Sequence, residues 1–210
     1  MRNIYSITAA FEKSLCDYTG APYCVAVDNA SNALFLCLTY EGIKGKEIIL
    51  PDHTYPSVPC EVIHAGGKVV FIETGSDKLK GAYRLGNTKV VDSALRFTTG
   101  MYKESEGLFV CLSFTGPYKH LKLGKGGAIL TDSHDAYSWF KRARFSGRRE
   151  MPYNDDNLDM LGWNFYMLPE IAIKGLRDMA QFYTSDGKPI AQADKELKYP
   201  DLSKFQIYQK

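Results

Sequence analysis

Short apolar runs alternate with helix-length amphipathic segments along most of this 210-residue chain, and that alternation is what most limits its fold. Residues 7–18 carry Ile7, Phe11, Leu15 and Tyr18 on one helical face, with Gly20 as a natural stop. Residues 23–27 read as a strand, 28–32 as a polar turn and 33–40 as a helix. A strand at 47–50 ends at Pro51, a helix covers 61–65, and a strand at 69–72 follows Gly66-Gly67. Further strands are expected at 90–91, 108–113 and 128–131, and helices at 133–145 and 168–183, the last with Pro169 near its first turn. Residues 74–88, rich in Gly, Ser, Asp, Lys and Asn, read as a loop. Strands alternating with helices argue for an α/β fold with a mainly parallel sheet.

Composition removes several function classes. Hydrophobic content of 45% and charged content of 24% are ordinary for a soluble domain. A formal net charge of +2 is too small to imply nucleic acid as a partner. No run approaches the roughly 18 apolar residues of a membrane span. No long apolar stretch follows Met1-Arg2-Asn3-Ile4-Tyr5, so no signal peptide is expected. The five cysteines (Cys16, Cys24, Cys37, Cys60, Cys111) are odd in number and form no C-x-x-C pair. Reduced thiols in a cytoplasmic protein are the simplest expectation. His53, His64, His120 and His134 lack metal-ligand spacing, so no metal site is expected.

The residues that carry chemistry fall where strands end. Lys119 lies in a polar turn between the strand ending at Ser113 and a second strand that opens at Gly126-Gly127. A lysine held at a sheet edge can form a Schiff base with an aldehyde cofactor. The turn 28–32 joins a strand to a helix, and its N–H groups with the Ser31 hydroxyl would make an anion cradle. The same pattern also serves as an ordinary helix start capped by Asp28 or Ser31. Asp92 ends a short apolar strand, where α/β proteins bind ligands, and could equally be a cap or a surface carboxylate. Tyr55 follows another strand and could stack on a flat ring or sit in the core. Arg96, Arg148 and Arg149 read as solvated charge rather than substrate ligands, and His120 as a loop residue.

Taken in order, these segments resemble the DegT/DnrJ/EryC1/StrS sugar aminotransferases, which use pyridoxal 5'-phosphate (PLP) and have fold type I. The resemblance runs from about Phe11 to Phe182 and begins with Phe11-Glu12-Lys13, Tyr18-Thr19-Gly20-Ala21 and Ala26-Val27. Asn29-Ala30-Ser31-Asn32-Ala33-Leu34 stands where the family has its phosphate turn, so Ala30 and Ser31 are expected to hold the cofactor phosphate. Leu50-Pro51-Asp52-His53-Thr54-Tyr55 resembles a Val-Pro-x-x-Thr-aromatic segment whose aromatic stacks on the cofactor. Val91-Asp92-Ser93-Ala94 resembles the segment whose Asp meets the ring nitrogen. The stretch from Ser113 to Gly127 resembles the lysine loop, with Ser113 on phosphate and Lys119 as the Schiff-base residue. Leu161-Gly162-Trp163-Asn164-Phe165-Tyr166-Met167 and Glu170 resemble a signature whose Asn reaches a partner subunit's cofactor phosphate, which implies a homodimer.

The resemblance implies a three-layer fold, with residues 1–183 as the PLP-binding large domain and 184–210 as a polar tail in place of the small domain. It implies transfer of an amino group from an amino acid donor to a keto-sugar nucleotide, with Lys119 as general acid and base. The departures from pattern are Ala30-Ser31 for Gly-Thr, Leu95 for a polar cofactor contact, Lys125 for Glu and Tyr166 for Arg. One extra residue separates Ser113 from Lys119, and a block between Ile72 and Val90 is missing. These keep two other readings open: a PLP protein with another reaction or substrate, and a non-catalytic member that binds a ligand or partner. Dehydratase relatives have His in place of the lysine, and Lys119 argues against that route.

Overall fold

The computed structural model describes residues 5–74, 81–193 and 197–208. Helix α1 (Ser6–Thr19) leads into β1 (Tyr23–Val27), α2 (Ala30–Tyr40), β2 (Glu47–Pro51), α3 (Ser57–His64) and β3 (Lys68–Ile72). Then come β4 (Tyr83–Arg84), β5 (Val90–Asp92), β6 (Phe109–Ser113), β7 (Gly127–Thr131), α4 (His134–Ala143) and α5 (Pro169–Asp178).

Five strands form one sheet in the order β1-β7-β6-β5-β4, and β2 and β3 form a separate parallel pair. The pairing β5–β6 is parallel, whereas β1–β7, β6–β7 and β4–β5 are antiparallel. Thus β1, β5 and β6 run one way, and β7 and β4 the other. The α/β class stands, but the sheet expected to be mainly parallel is mixed: one of the four pairings in the five-stranded sheet, β5–β6, is parallel. Apolar and polar runs alone do not encode direction, and β7 turns back on β6 through the loop that carries Lys119.

Alternate residues of each strand face opposite layers, because strand side chains have a period of two. Cys24 and Ala26, Val110 and Leu112, and Ala128 and Leu130 face a core built with Phe11, Leu15 and Tyr18 of α1 and Ala172 of α5. Val25 and Val27, Phe109 and Cys111, and Ile129 face a second core with α2 and with Phe140 of α4. Sheet strands buried on both faces read as near-continuous apolar runs, as these do. Helix α1 ends at Gly20, whose φ of 78° and N–H bond to Cys16 O (2.8 Å) form a left-handed cap. At Gly175 of α5 a Cβ would stand 2.5 Å from the Phe11 ring, so glycine sets how closely α1 and α5 pack.

A buried ion network ties α1, β1 and α4 together. Arg144, 2% exposed, donates to Glu12 and to the Ala26 carbonyl, and reaches Glu150 at 2.8 Å. Glu12 also accepts from Ala26 N–H (2.9 Å) and from Lys141 Nζ (3.1 Å). Buried charges persist when they are paired and hydrogen-bonded in this way.

Three expectations change. The helix expected at 168–183 ends at Asp178, and the chain tightens into a 3-10 turn at Met179–Phe182. The helix expected at 61–65 begins earlier, at Ser57, with Pro59 in its first turn, where a missing N–H costs nothing. Within the stretch read as a loop, β4 pairs with β5 in the register Tyr83↔Asp92; residues 75–80 of that stretch lie outside the described residues.

Candidate active site

Because β1, β5 and β6 run in one direction, their carboxyl ends share one edge of the sheet. Asn29, Asp92 and Ser113 stand at those ends, and the antiparallel β7 starts beside them at Gly127. A cavity of about 420 Å³ opens there, within the usual size range of small-ligand pockets. Ala30, Ser31, Tyr55, Asp92, Ser113 and Lys119 all line it. The structure therefore gathers six of the seven expected residues from four separate segments. Asn164 lines a different, smaller cavity of about 210 Å³, with Asp28, Lys125 and Tyr166.

The cradle end is built by α2. Its cap is Asn29, whose side-chain oxygen accepts from Asn32 N–H at 2.8 Å, rather than Asp28 or Ser31. Asn29 has extended backbone, as a cap requires; Ser31 is already inside the first turn, and Asp28 instead holds the Asn32 side chain at 2.7 Å. The first N–H groups of α2, at Ala30 and Ser31, have no acceptor within their own helix, and both residues line the cavity. Ser31 Oγ donates to Ser57 Oγ (2.7 Å) at the start of α3, so two hydroxyls and two helix N-termini share this end. Gly127 is packed against the turn: a Cβ there would lie 2.6 Å from the Asn29 carbonyl carbon and 2.7 Å from Ala30 N.

At the opposite end Asp92 is 6% exposed. Its carboxylate accepts from Ala94 N–H (2.9 Å) and from the Tyr83 hydroxyl (3.3 Å), and Tyr83 bonds Thr54 in turn. Burial raises the Asp92 pKa above the ordinary carboxylate value, against the Ala94 N–H, the nearby Lys119 charge and the Tyr83 bond, which act to lower it. Burial, with the Asp92 charge beside it, pushes the Tyr83 hydroxyl well up, so it stays a donor. Tyr55 is 55% exposed and forms the cavity rim. Leu95, at the position of the lost polar contact, presents an apolar wall.

The donor set fits PLP: an amine for its aldehyde, a buried carboxylate able to hold a protonated ring nitrogen, and an N-terminal cradle with hydroxyls for its phosphate. Sequence reasoning missed Tyr83, Ser57 and Tyr199 in this cavity. Tyr83 sits in a two-residue strand with no readable period. Tyr199 comes from the polar tail. Thr54, which also lines the cavity, lies in the same Leu50–Tyr55 segment as the expected Tyr55.

Residues 1–81 match the model of the DegT/DnrJ/EryC1/StrS aminotransferase family. The UDP-4-amino-4,6-dideoxy-N-acetyl-beta-L-altrosamine transaminase of Campylobacter jejuni is 24% identical over 200 residues, covering 77% of this chain and 53% of the relative. GDP-perosamine synthase of Caulobacter vibrioides is 24% identical over 206 residues, covering 80% and 55%. Among solved structures, Helicobacter pylori PseC, an aminotransferase involved in the biosynthesis of pseudoaminic acid, superposes with a TM-score of 0.65 at 16% identity, over 83% of this chain and 57% of that one. A Brucella abortus DegT DnrJ EryC1 StrS aminotransferase gives a TM-score of 0.64 at 20% identity, over 83% and 58%. Residues 1–81 thus resemble the DegT/DnrJ/EryC1/StrS aminotransferase family, and the chain shares the fold of these solved aminotransferases while spanning about half the length of the curated relatives it matches.

Proposed function

We propose that this chain binds PLP and serves an aminotransfer reaction of the sugar-nucleotide type, moving an amino group from an amino acid donor to a keto-sugar nucleotide. One observation carries the reading: Lys119, Asp92 and the Ala30–Ser31 cradle line a single cavity although they lie far apart in sequence. When bound, PLP supplies an electron sink that acidifies the C–H beside the substrate's amino nitrogen.

The chain's residues would divide the work as follows. The N–H groups of Ala30 and Ser31, with the Ser31 and Ser113 hydroxyls, anchor the phosphate dianion at the positive end of α2. The Asp92 carboxylate holds a proton on the ring nitrogen; Tyr83 and Ala94 N–H fix its orientation. Tyr55, which lines the cavity, would lie against the ring. Nζ of Lys119 would hold the cofactor's aldehyde and, as a free amine, would hold and move the proton of the C–H beside the substrate's amino nitrogen. Asn164, in its own cavity beside Lys125, would serve the phosphate of a neighbouring subunit in a homodimer. A cytoplasmic location goes with such small-molecule substrates; among the described residues no helix is long and apolar enough to cross a membrane.

The test is direct. Purified protein titrated with PLP is expected to gain an absorption band near the visible edge, and borohydride reduction followed by peptide mass spectrometry should place the adduct on Lys119. Lys119→Ala should abolish both. No adduct at Lys119 would overturn the reading. The apolar Leu95 wall favours a second reading, in which the cofactor or a similar ligand is held without turnover. A band with no amino-group exchange from glutamate would select it.

A further inference from the structure

The segment 197–208, which sequence patterning leaves as polar tail, returns to the cavity. Leu197 and Tyr199 line it beside Tyr55 and Asp92. The segment is pinned by groups that follow β2. His53 Nδ1 meets the Tyr199 carbonyl at 2.7 Å, and Leu202 N–H donates to Asp52 O at 2.8 Å. Leu202 itself is 2% exposed. Farther on, the Tyr208 hydroxyl reaches Pro56 O at 3.4 Å, and its ring meets Phe71 edge-on at 6.1 Å between centroids. The Tyr199 ring stands edge-on to Tyr55 at 6.0 Å.

These contacts hold the segment as a strap whose Leu197 and Tyr199 form part of the wall of the cavity of about 420 Å³, with Tyr199 near Asp92 and Tyr55. Its tyrosine is a wall of the cavity rather than a plug. Its phenol pKa is pushed up to about 12, chiefly by burial and then by the Asp92 charge, so it stays neutral.

We infer that Tyr199 and its strap close the ring end of the PLP site, holding Tyr55 against the ring face and excluding water and small solutes from Asp92 and Lys119. This deepens the proposed function and rests on the PLP reading. It assigns a positioning role to a segment in which motif and periodicity show nothing. Water exclusion matters there because it strengthens the charge interactions of Asp92 and Lys119 and protects a reactive bound cofactor.

The experiment compares wild type, Tyr199→Phe and Tyr199→Ala, each loaded with PLP. The bound chromophore is reduced with borohydride at fixed concentration and the rate followed optically. Tyr199→Ala is expected to raise the reduction rate and the PLP dissociation rate about tenfold, a change equivalent to ~1.4 kcal/mol. Tyr199→Phe, which keeps the ring wall, should stay within about twofold of wild type. Amide exchange of the unloaded protein should rise at residues 52–55 and 199–202 in Tyr199→Ala alone. A purely structural role would lower the melting temperature without changing the reduction rate of the folded, loaded protein; that result overturns the inference. Unchanged rates in Tyr199→Ala overturn it as well, whereas a wild type that forms no adduct defeats the PLP reading beneath it.

Discussion

Adding one methyl group at Gly127 tests the cradle without altering any side chain assigned to chemistry. The nearest backbone atom to a Cβ there is the Asn29 carbonyl carbon at 2.6 Å, about 0.8 Å inside the 3.4 Å at which ordinary contact begins. All three nearest atoms are backbone of Asn29 and Ala30, so no side chain can swing away. In Gly127→Ala the start of α2 must therefore retreat from β7, or β7 from β6, by most of an ångström. Overpacking of this kind costs about 1–3 kcal/mol of stability. The displaced N–H groups of Ala30 and Ser31 are the proposed phosphate donors. Losing one charge-assisted hydrogen bond costs about 1.5–3 kcal/mol, or roughly 10- to 100-fold in affinity. The assay is a titration with PLP in phosphate-free buffer, read by absorbance, with phosphate-free pyridoxal as control. PLP affinity should fall roughly 10- to 100-fold and pyridoxal affinity much less. Equal losses for both ligands, or an unchanged PLP affinity in a folded variant, would refute the argument that this turn is the phosphate site.

Other outcomes follow from the same geometry. Since burial lifts the folded-state pKa of Asp92 above its unfolded value, the folded chain binds an extra proton between the two. That contribution to stability is full below the ordinary carboxylate value and is lost as pH rises through the folded pKa. Asp92→Asn should remove this slope from unfolding curves across the acid range and raise the melting temperature of the unloaded protein at neutral pH while weakening PLP binding; identical pH profiles would count against a strained carboxylate. Arg144→Met leaves the buried Glu12 carboxylate facing Lys141 alone and should cost about 3–5 kcal/mol in denaturant unfolding. Adding Glu12→Gln, which still accepts from Ala26 N–H, should recover most of that loss, and a double variant as unstable as the single would contradict it. Gly175→Val, which drives side-chain carbon into the Phe11 ring, should lower stability by about 1–3 kcal/mol with PLP affinity per folded molecule unchanged, as measured by thermal unfolding and titration.

Much of the fold was legible because its physics is local. The strand at Tyr23–Val27 matches its expected bounds, and β6 and β7 fall within a residue of theirs. Each is an apolar run between turn residues, and burial on both faces of the sheet demands such runs. The candidate site was legible for a different reason: strand ends and a lysine turn leave recognisable residue types at loops. What failed were the elements whose structure depends on distant partners. Tyr83–Arg84 is a strand only because β5 lies alongside, and the antiparallel course of β7 depends on the loop that reverses after β6.

The sequence by itself determined the alternation of strands and helices, the two apolar faces of the sheet, and the candidacy of Lys119, Asp92 and the turn before α2. Those follow from periodicity and from turn chemistry, which act over a few residues. Only the tertiary structure decided that six of these residues meet in one cavity while Asn164 lies in another, and that Tyr199 joins them from some eighty residues beyond Lys119. The physical reason is that side-chain period records which face a residue occupies, whereas strand direction and the path of an aperiodic tail are set by contacts between segments remote in the chain.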